Sequence, residues 1–201
     1  MGEIEPKEQF DFYAYIGRMK YILRWGLMRN TDSENIQEHS LQVAILAHAL
    51  AVIHNQLCGR EELSPDRACV YAVFHDAGEI ITGDLPTPVK YYNPLIRENY
   101  QAIEAVAREK LLSMLPEDME GVYRPILFYE QEDAQYYPIV KAADKLSAYI
   151  KCVEEVKAGN REFVKAMEST LEALRTPELP EVSYFMRHYM DAYNKTLDEM
   201  N

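Results

Sequence analysis

The chain has 201 residues, 21 of them Lys or Arg and 33 Asp or Glu, giving a formal charge of −12. That length suits one domain, residues 1–201, with a core that needs no covalent staples. Hydrophobic residues at 48% exclude disorder as an account of the whole chain, and the acidic balance excludes a basic face that wraps polymeric nucleic acid. Small nucleotides stay admissible, because one or two local cations suffice for them.

The acidic opening Met1-Gly2-Glu3-Ile4-Glu5-Pro6 has no apolar run and reads as neither a signal peptide nor a myristoylation site. Pro6 to Arg24 carries apolar residues at helical spacing and predicts a helix. Asn30 to Ser33 offers N-cap residue types, with Thr31 and Glu34 spaced as a capping box. A long apolar helix is expected from Glu34 to Ile53. Ser64-Pro65 combines a capping hydroxyl with a proline suited to the first helical position, and opens a helix to about Glu79. Periodicity then stops between Ile80 and Asn93, where Gly83, Pro86 and Pro88 mark a structured loop of functional length.

Asn93-Pro94 repeats the cap-plus-proline start, and a helix is expected as far as Leu115. A weaker segment, Glu117 to Tyr129, leads to the polar run Glu130 to Asp133. Pro138 begins a strong helix ending near Lys157, before Gly159 and Asn160. Helices over Arg161–Leu174 and Pro180–Met200 complete an all-α chain without a convincing strand. No stretch approaches the ~18 uncharged apolar residues of a membrane span. Cys58, Cys69 and Cys152 are far apart and odd in number, which fits a reducing cytoplasm and core-filling roles.

The chemistry concentrates in a few charged residues inside apolar runs. His75-Asp76 follows Cys69 to Phe74, His39 lies near the start of an apolar helix, and Asp144 interrupts Ile139 to Leu146. Buried charge is costly unless paired or bound to metal. On a continuous helix, Glu79 would share a face with both His75 and Asp76. Two imidazoles and two carboxylates suit a borderline to hard divalent ion, whether Co, Mn, another transition metal or Mg. From the residues alone other readings stand beside this one. His39 could end a helix, His75-Asp76 could form a surface ion pair, and Asp144 could pair with Lys141 or Lys145. Trp25 could be a core anchor and Lys90 a surface lysine.

His39, His75-Asp76 and Asp144 on separate helices resemble the H…HD…D signature of HD-domain metal-dependent phosphohydrolases. Arg24-Trp25-x-Leu27-Met28-Arg29-Asn30, Glu38-His39-Ser40, His75-Asp76-x-x-Glu79 and Thr82 to Lys90 resemble, in that order, the bacterial 5′-deoxynucleotidase family. The likeness runs from about Phe12 to Asp198.

It implies hydrolysis of 2′-deoxyribonucleoside 5′-monophosphates by a homodimer using one divalent ion. His39, His75, Asp76 and Asp144 match the metal ligands, and His39 and Asp144 also border the substrate. Glu79 matches the catalytic carboxylate, acting as base toward water or as acid toward the leaving oxygen. Arg24 matches the phosphate binder and Trp25 its neighbour at phosphate and sugar. Asp84 matches a catalytic, substrate-contacting carboxylate at the sugar hydroxyl, and Thr87, Pro88, Val89 and Lys90 match the loop lining the nucleotide. Gly26 stands where the family favours proline. The runner-up is another HD phosphohydrolase, acting on a triphosphate, cyclic nucleotide or phosphonate, or a nucleotide-binding sensor.

Overall fold

The computed structural model describes residues 9–58, 63–90, 92–129, 133–176 and 179–200. The expectations for Met1 to Pro6 and for Glu130 to Glu132 lie outside the described residues, as does the side chain of Cys58. Among these described residues ten α-helices follow in order: α1 (Phe12–Ile16), α2 (Ile36–Cys58), α3 (Pro65–Phe74), α4 (Glu79–Thr82), α5 (Thr87–Lys90), α6 (Pro94–Leu112), α7 (Glu117–Phe128), α8 (Tyr136–Lys157), α9 (Val164–Leu174) and α10 (Pro180–His188). Among the described residues the strand-like pairing is one isolated antiparallel bridge, Leu23 with Asn35. The architecture is all-α, as the periodicity required.

Two helix starts follow local chemistry directly. Ser64 Oγ accepts the Arg67 N–H at 3.3 Å, and Asn93 Oδ1 accepts the Ile96 N–H at 2.8 Å, each just before a proline. The start of α2 differs from the expected Thr31–Glu34 box. Asn35 Oδ1 accepts from the N–H groups of Gln37 and Glu38 at 3.0 and 3.1 Å, and Glu38 Oε2 accepts the Asn35 N–H at 3.3 Å. The capping box is therefore Asn35–Glu38, and Glu34 is released for another task.

Three expected helices are shorter than their periodicity. Pro6–Arg24 becomes α1 and a 3₁₀ turn, Met19–Tyr21, because the chain doubles back onto the entry to α2. There Ile36 N–H donates to Ile22 O, and Arg24 N–H donates to Glu34 O, both at 2.9 Å. The Pro65–Glu79 helix stops at Phe74. Residues 75–78 form a tight turn with Ala77 N–H on Phe74 O (3.0 Å) and Glu79 N–H on Asp76 O (2.9 Å), so His75 and Asp76 sit between two helices rather than on one face. Pro180–Met200 breaks at Tyr189 into α10 and two 3₁₀ turns.

Helix α2 runs through the main core with α3, α8 and α10, where Leu50, Tyr71, Leu146 and Ile150 are essentially inaccessible. Its segment Ile36–Leu57 has the length and mean hydropathy (1.3) of a membrane helix, although Glu38, His39, Gln42, His48 and His54 interrupt the apolar run. Within its apolar 18-residue window 56% is buried inside the protein, so that apolar character is used by the core. A smaller cluster of Phe12, Ala77, Leu111, Leu112, Leu115 and Leu127 packs beneath the 75–78 turn.

On α8, Glu155 is 2% exposed and pairs with Lys151 one turn earlier. It also accepts from the N–H groups of Thr31 (2.9 Å) and Asp32 (3.2 Å) and from Asn160 Nδ2 (2.8 Å), pinning the loop before α2. Burial acts to raise its pKa. Hydrogen bonds from Lys151, Asn160 and Thr31 outweigh burial and hold it down at about 2. Glu155→Ala strands Lys151 without its buried partner, and thermal melting should fall by the equivalent of about 3–5 kcal/mol, roughly 10 °C. A folded pKa below the unfolded value stabilises above about pH 4.5 and is lost toward pH 2. The gap between wild type and variant should accordingly narrow as melts are taken at decreasing pH across that window.

Candidate active site

Helices α2 and α8 carry His39 and Asp144, and the turn after α3 carries His75 and Asp76. The geometry brings all four together. His39 Nε2 lies 3.2 Å from Asp144 Oδ1 and 3.6 Å from Asp76 Oδ2; His75 Nε2 lies 3.1 Å from Asp76 Oδ2 and 4.0 Å from Asp144 Oδ1. His39, His75 and Asp76 each offer a ligand atom within 4.8 Å of the others.

The outer nitrogens of the rings fix what the inner ones can do. His75 Nδ1 donates to Ala72 O at 2.6 Å. His39 Nδ1 donates to Ser147 Oγ at 3.2 Å, whose hydroxyl in turn donates to Gln42 Oε1 at 2.6 Å. When neutral, each ring therefore turns a bare Nε2 toward the carboxylates. Both Nε2 atoms are buried without a hydrogen-bond partner despite these short separations. Lone pairs this close are relieved by a bound cation or a shared proton, and two imidazoles with two carboxylates form a donor set that fits a divalent metal.

Charge around the set is strongly organised. Burial first, then Arg24, lowers the His39 pKa and keeps the ring neutral. Burial opposes protonation of His75 as well, but Asp76 overcomes it and raises that pKa. Burial acts against ionisation of Asp76 and Asp144, yet His75 holds the first below the usual carboxylate range, and His39 and Lys141 the second. Glu79 goes the other way. Burial, with Asp76 and Asp84 nearby, pushes it up to about 10, and its buried Oε2 has no partner.

Arg24 spans the rim. Its Nε donates to Glu34 Oε2 at 3.0 Å and its Nη1 lies 3.5 Å from Asp76 Oδ2. Trp25 Nε1 donates to the same Glu34 oxygen at 3.0 Å, while its rings pack 5.3 Å from Phe163. Gly83, at φ +74, ends α4 and turns the chain into Asp84. Asp84 is half-buried; burial raises its pKa, and Arg24 and the Trp25 amide pull it back.

The expected loop is partly helical: α4 extends to Thr82, and Thr87 to Lys90 form α5 with Thr87, Pro88 and Val89 exposed. Lys90 Nζ is directed to Glu104 at 2.8 Å and stands over the Tyr100 ring, so its charge is compensated. Sequence reasoning missed Glu34, Ser147, Gln42 and Glu104. Nothing local distinguishes a helical serine or glutamine. Glu34 was legible only as a cap.

A family model described as 5′-deoxynucleotidase YfbR-like matches residues 11–193. A 5′-deoxynucleotidase of Photobacterium profundum is 47% identical over 194 residues, covering 96% of this chain and 100% of the relative. The Escherichia coli 5′-deoxynucleotidase YfbR is 45% identical, covering 96% and 97%. An HD-domain phosphohydrolase from Listeria innocua has a similar structure, with a TM-score of 0.79 at 22% identity over 91% of this chain and 88% of its own. The cyanophage S-2L HD phosphohydrolase DatZ, solved with dA and one catalytic Zn2+, matches at TM-score 0.65 and 23% identity over 94% and 100%. At those identities the structural likeness is one of fold.

Ser147→Ala removes the acceptor that holds the His39 tautomer. Calorimetric titration of chelator-treated protein with Mn2+ or Co2+ should show affinity weakened by about tenfold or more.

Proposed function

Because this chain belongs to the YfbR-like 5′-deoxynucleotidase family and is a hydrolase of phosphate monoesters, we propose that it cleaves 2′-deoxyribonucleoside 5′-monophosphates at the His39, His75, Asp76 and Asp144 set. The observation that carries this reading is the pair of buried, unpartnered Nε2 atoms facing two carboxylates directly beneath Arg24. One divalent ion would be held there by those four side chains. Imidazole donors favour Co, Mn, Zn or another transition metal, while carboxylates leave Mg admissible. Such an ion supplies Lewis acidity to a phosphoryl oxygen and acidifies water.

The residues around the set have separate tasks. Arg24 has committed one N–H to Glu34 and turned another toward Asp76, so three of its five donors remain for phosphoryl oxygens. Glu79 keeps its proton at neutral pH when metal-free, which suits delivery to the leaving sugar oxygen as the P–O bond breaks. Water supplies the new P–O bond and restores the proton. Asp84, joined to Arg24 and Trp25 electrostatically, contacts the sugar hydroxyl, and Trp25 with Thr87, Pro88 and Val89 borders the nucleoside. Lys90 acts from behind, neutralised by Glu104.

The proposal extends to a homodimer in a reducing cytoplasm. Leu41 and Ile45 are each 62% exposed on α2, beside an apolar groove of about 980 Å³ lined by Val52, Phe185 and Tyr189 that shares no residue with the ligand set. Cys69 and Cys152 are both unpaired.

Chelation should abolish phosphate release from dAMP, and Mn2+ or Co2+ should restore it, with ribonucleotides assayed in parallel. Glu79→Ala should lower kcat by about 10²- to 10⁴-fold while calorimetric metal affinity stays near wild type. Full activity in that variant would remove Glu79 from the mechanism. Absence of monophosphate hydrolysis with any divalent ion would favour a different HD substrate.

A further inference from the structure

We propose that Glu34 is the positioning residue that sets both Arg24 and Trp25 for the substrate phosphate, an inference that rests on the reading of Arg24 given above. A single oxygen, Oε2, accepts from Arg24 Nε and Trp25 Nε1, each at 3.0 Å. The Arg24 and Glu34 side chains are 12% and 13% exposed, so water competes poorly for these donors. The main chain adds a second tie, because Glu34 O accepts the Arg24 N–H at 2.9 Å beside the Leu23–Asn35 bridge.

This arrangement decides which edge of the guanidinium is offered. With Nε committed to Glu34, Arg24 must meet phosphate through its Nη groups, and Nη1 already reaches within 3.5 Å of Asp76 Oδ2. The arginine is thus stretched between Glu34 and a member of the ligand set. Trp25 is held in a similar way. Its backbone adopts φ 59, a conformation costly for an ordinary side chain, and the indole is fixed by Glu34 on one side and Phe163 on the other.

Glu34 is not needed to start α2. Asn35 and Glu38 supply that cap, so changing the Glu34 side chain separates positioning from helix formation. The other carboxylate oxygen stands 3.9 Å from His39 Nδ1, beyond hydrogen-bond range, while Ser147 accepts from that nitrogen. Metal affinity is therefore a control that should hardly move.

The test compares Glu34→Asp, Glu34→Gln and Glu34→Ala in the Mn2+-loaded holoenzyme, with dAMP as the probe. Aspartate keeps the charge but lacks the reach to serve both donors. It and alanine should raise KM about tenfold, whereas glutamine, which retains an acceptor oxygen at the same reach, should stay within about threefold. Trp25 is the sole tryptophan, so its emission reports the geometry directly. A red shift and stronger acrylamide quenching are expected for aspartate and alanine but not for glutamine. Mn2+ affinity of the metal-stripped proteins should stay within about threefold of wild type. If alanine fails to fold, the aspartate–glutamine contrast decides the matter. Glu34→Asp with wild-type KM and wild-type Trp25 emission overturns the proposal. Arg24→Ala separates the two readings. An unchanged KM there removes Arg24 as phosphate binder and the proposal with it, whereas a raised KM beside a silent Glu34→Asp removes Glu34 alone.

Discussion

Two imidazole nitrogens and two carboxylates face one another at close range, and much of the molecule is arranged around keeping that set intact. Left to itself it would spread or take up protons, because buried like charge and unpaired polar atoms cost several kcal/mol each. Rigid elements prevent this. His39 and Asp144 project from the two longest helices, whose mutual packing forms the main core. His75 and Asp76 are held by a tight turn clamped over Ala77 and its apolar neighbours. The outer hydrogen bonds to Ala72 O and Ser147 Oγ then choose which nitrogen each ring shows. A donor set fit for a metal is thus written into packing before any ion is considered.

The proposed substrate side rests on a second, softer construction. Arg24 and Trp25 lie outside any helix, on the segment that doubles back to α2, and their placement is borrowed from elsewhere. Glu34 holds their side chains, while Glu155 and Lys151 on α8 hold the loop that carries the chain between them. A buried Lys–Glu pair adds little net stability compared with an apolar pair of the same size. Here its value is positional, since the same carboxylate satisfies two loop amides that would otherwise need water.

What was legible in the sequence was what short-range chemistry determines. Ser64-Pro65 and Asn93-Pro94 start helices because cap, proline and first turn are neighbours in the chain. The Asn35–Glu38 box was overlooked for Thr31–Glu34, which has the same spacing, and what separates them is long-range. Glu34 is drawn away by Arg24 and Trp25, about ten residues earlier in the chain, and Thr31 by Glu155 on α8. The helical periodicity of Pro6–Arg24 and Pro180–Met200 was genuine, but a sequence pattern does not show where a chain must turn to meet a partner. His39, His75, Asp76 and Asp144 stood out because charged residues interrupt apolar runs there, and their order resembled a known family. Ser147 and Gln42 interrupt nothing unusual, so no sequence signal marks them.

The acidic balance of the chain recurs at atomic scale around Arg24. Burial would lower the pKa of that guanidinium, yet Asp76, Asp144 and Glu34 overcome burial and keep it fully charged. Asp84 adds to that carboxylate excess and Lys141 beside Asp144 offsets only part of it, a poor surrounding for a phosphate dianion. On the proposed reading, one divalent ion would offset that excess and make the same residues fit for a phosphate. The acids that make Arg24 dependable therefore also make it insufficient alone. On that reading anion binding is conditional on metal, and phosphate affinity is confined to a single point on a protein whose overall field repels it.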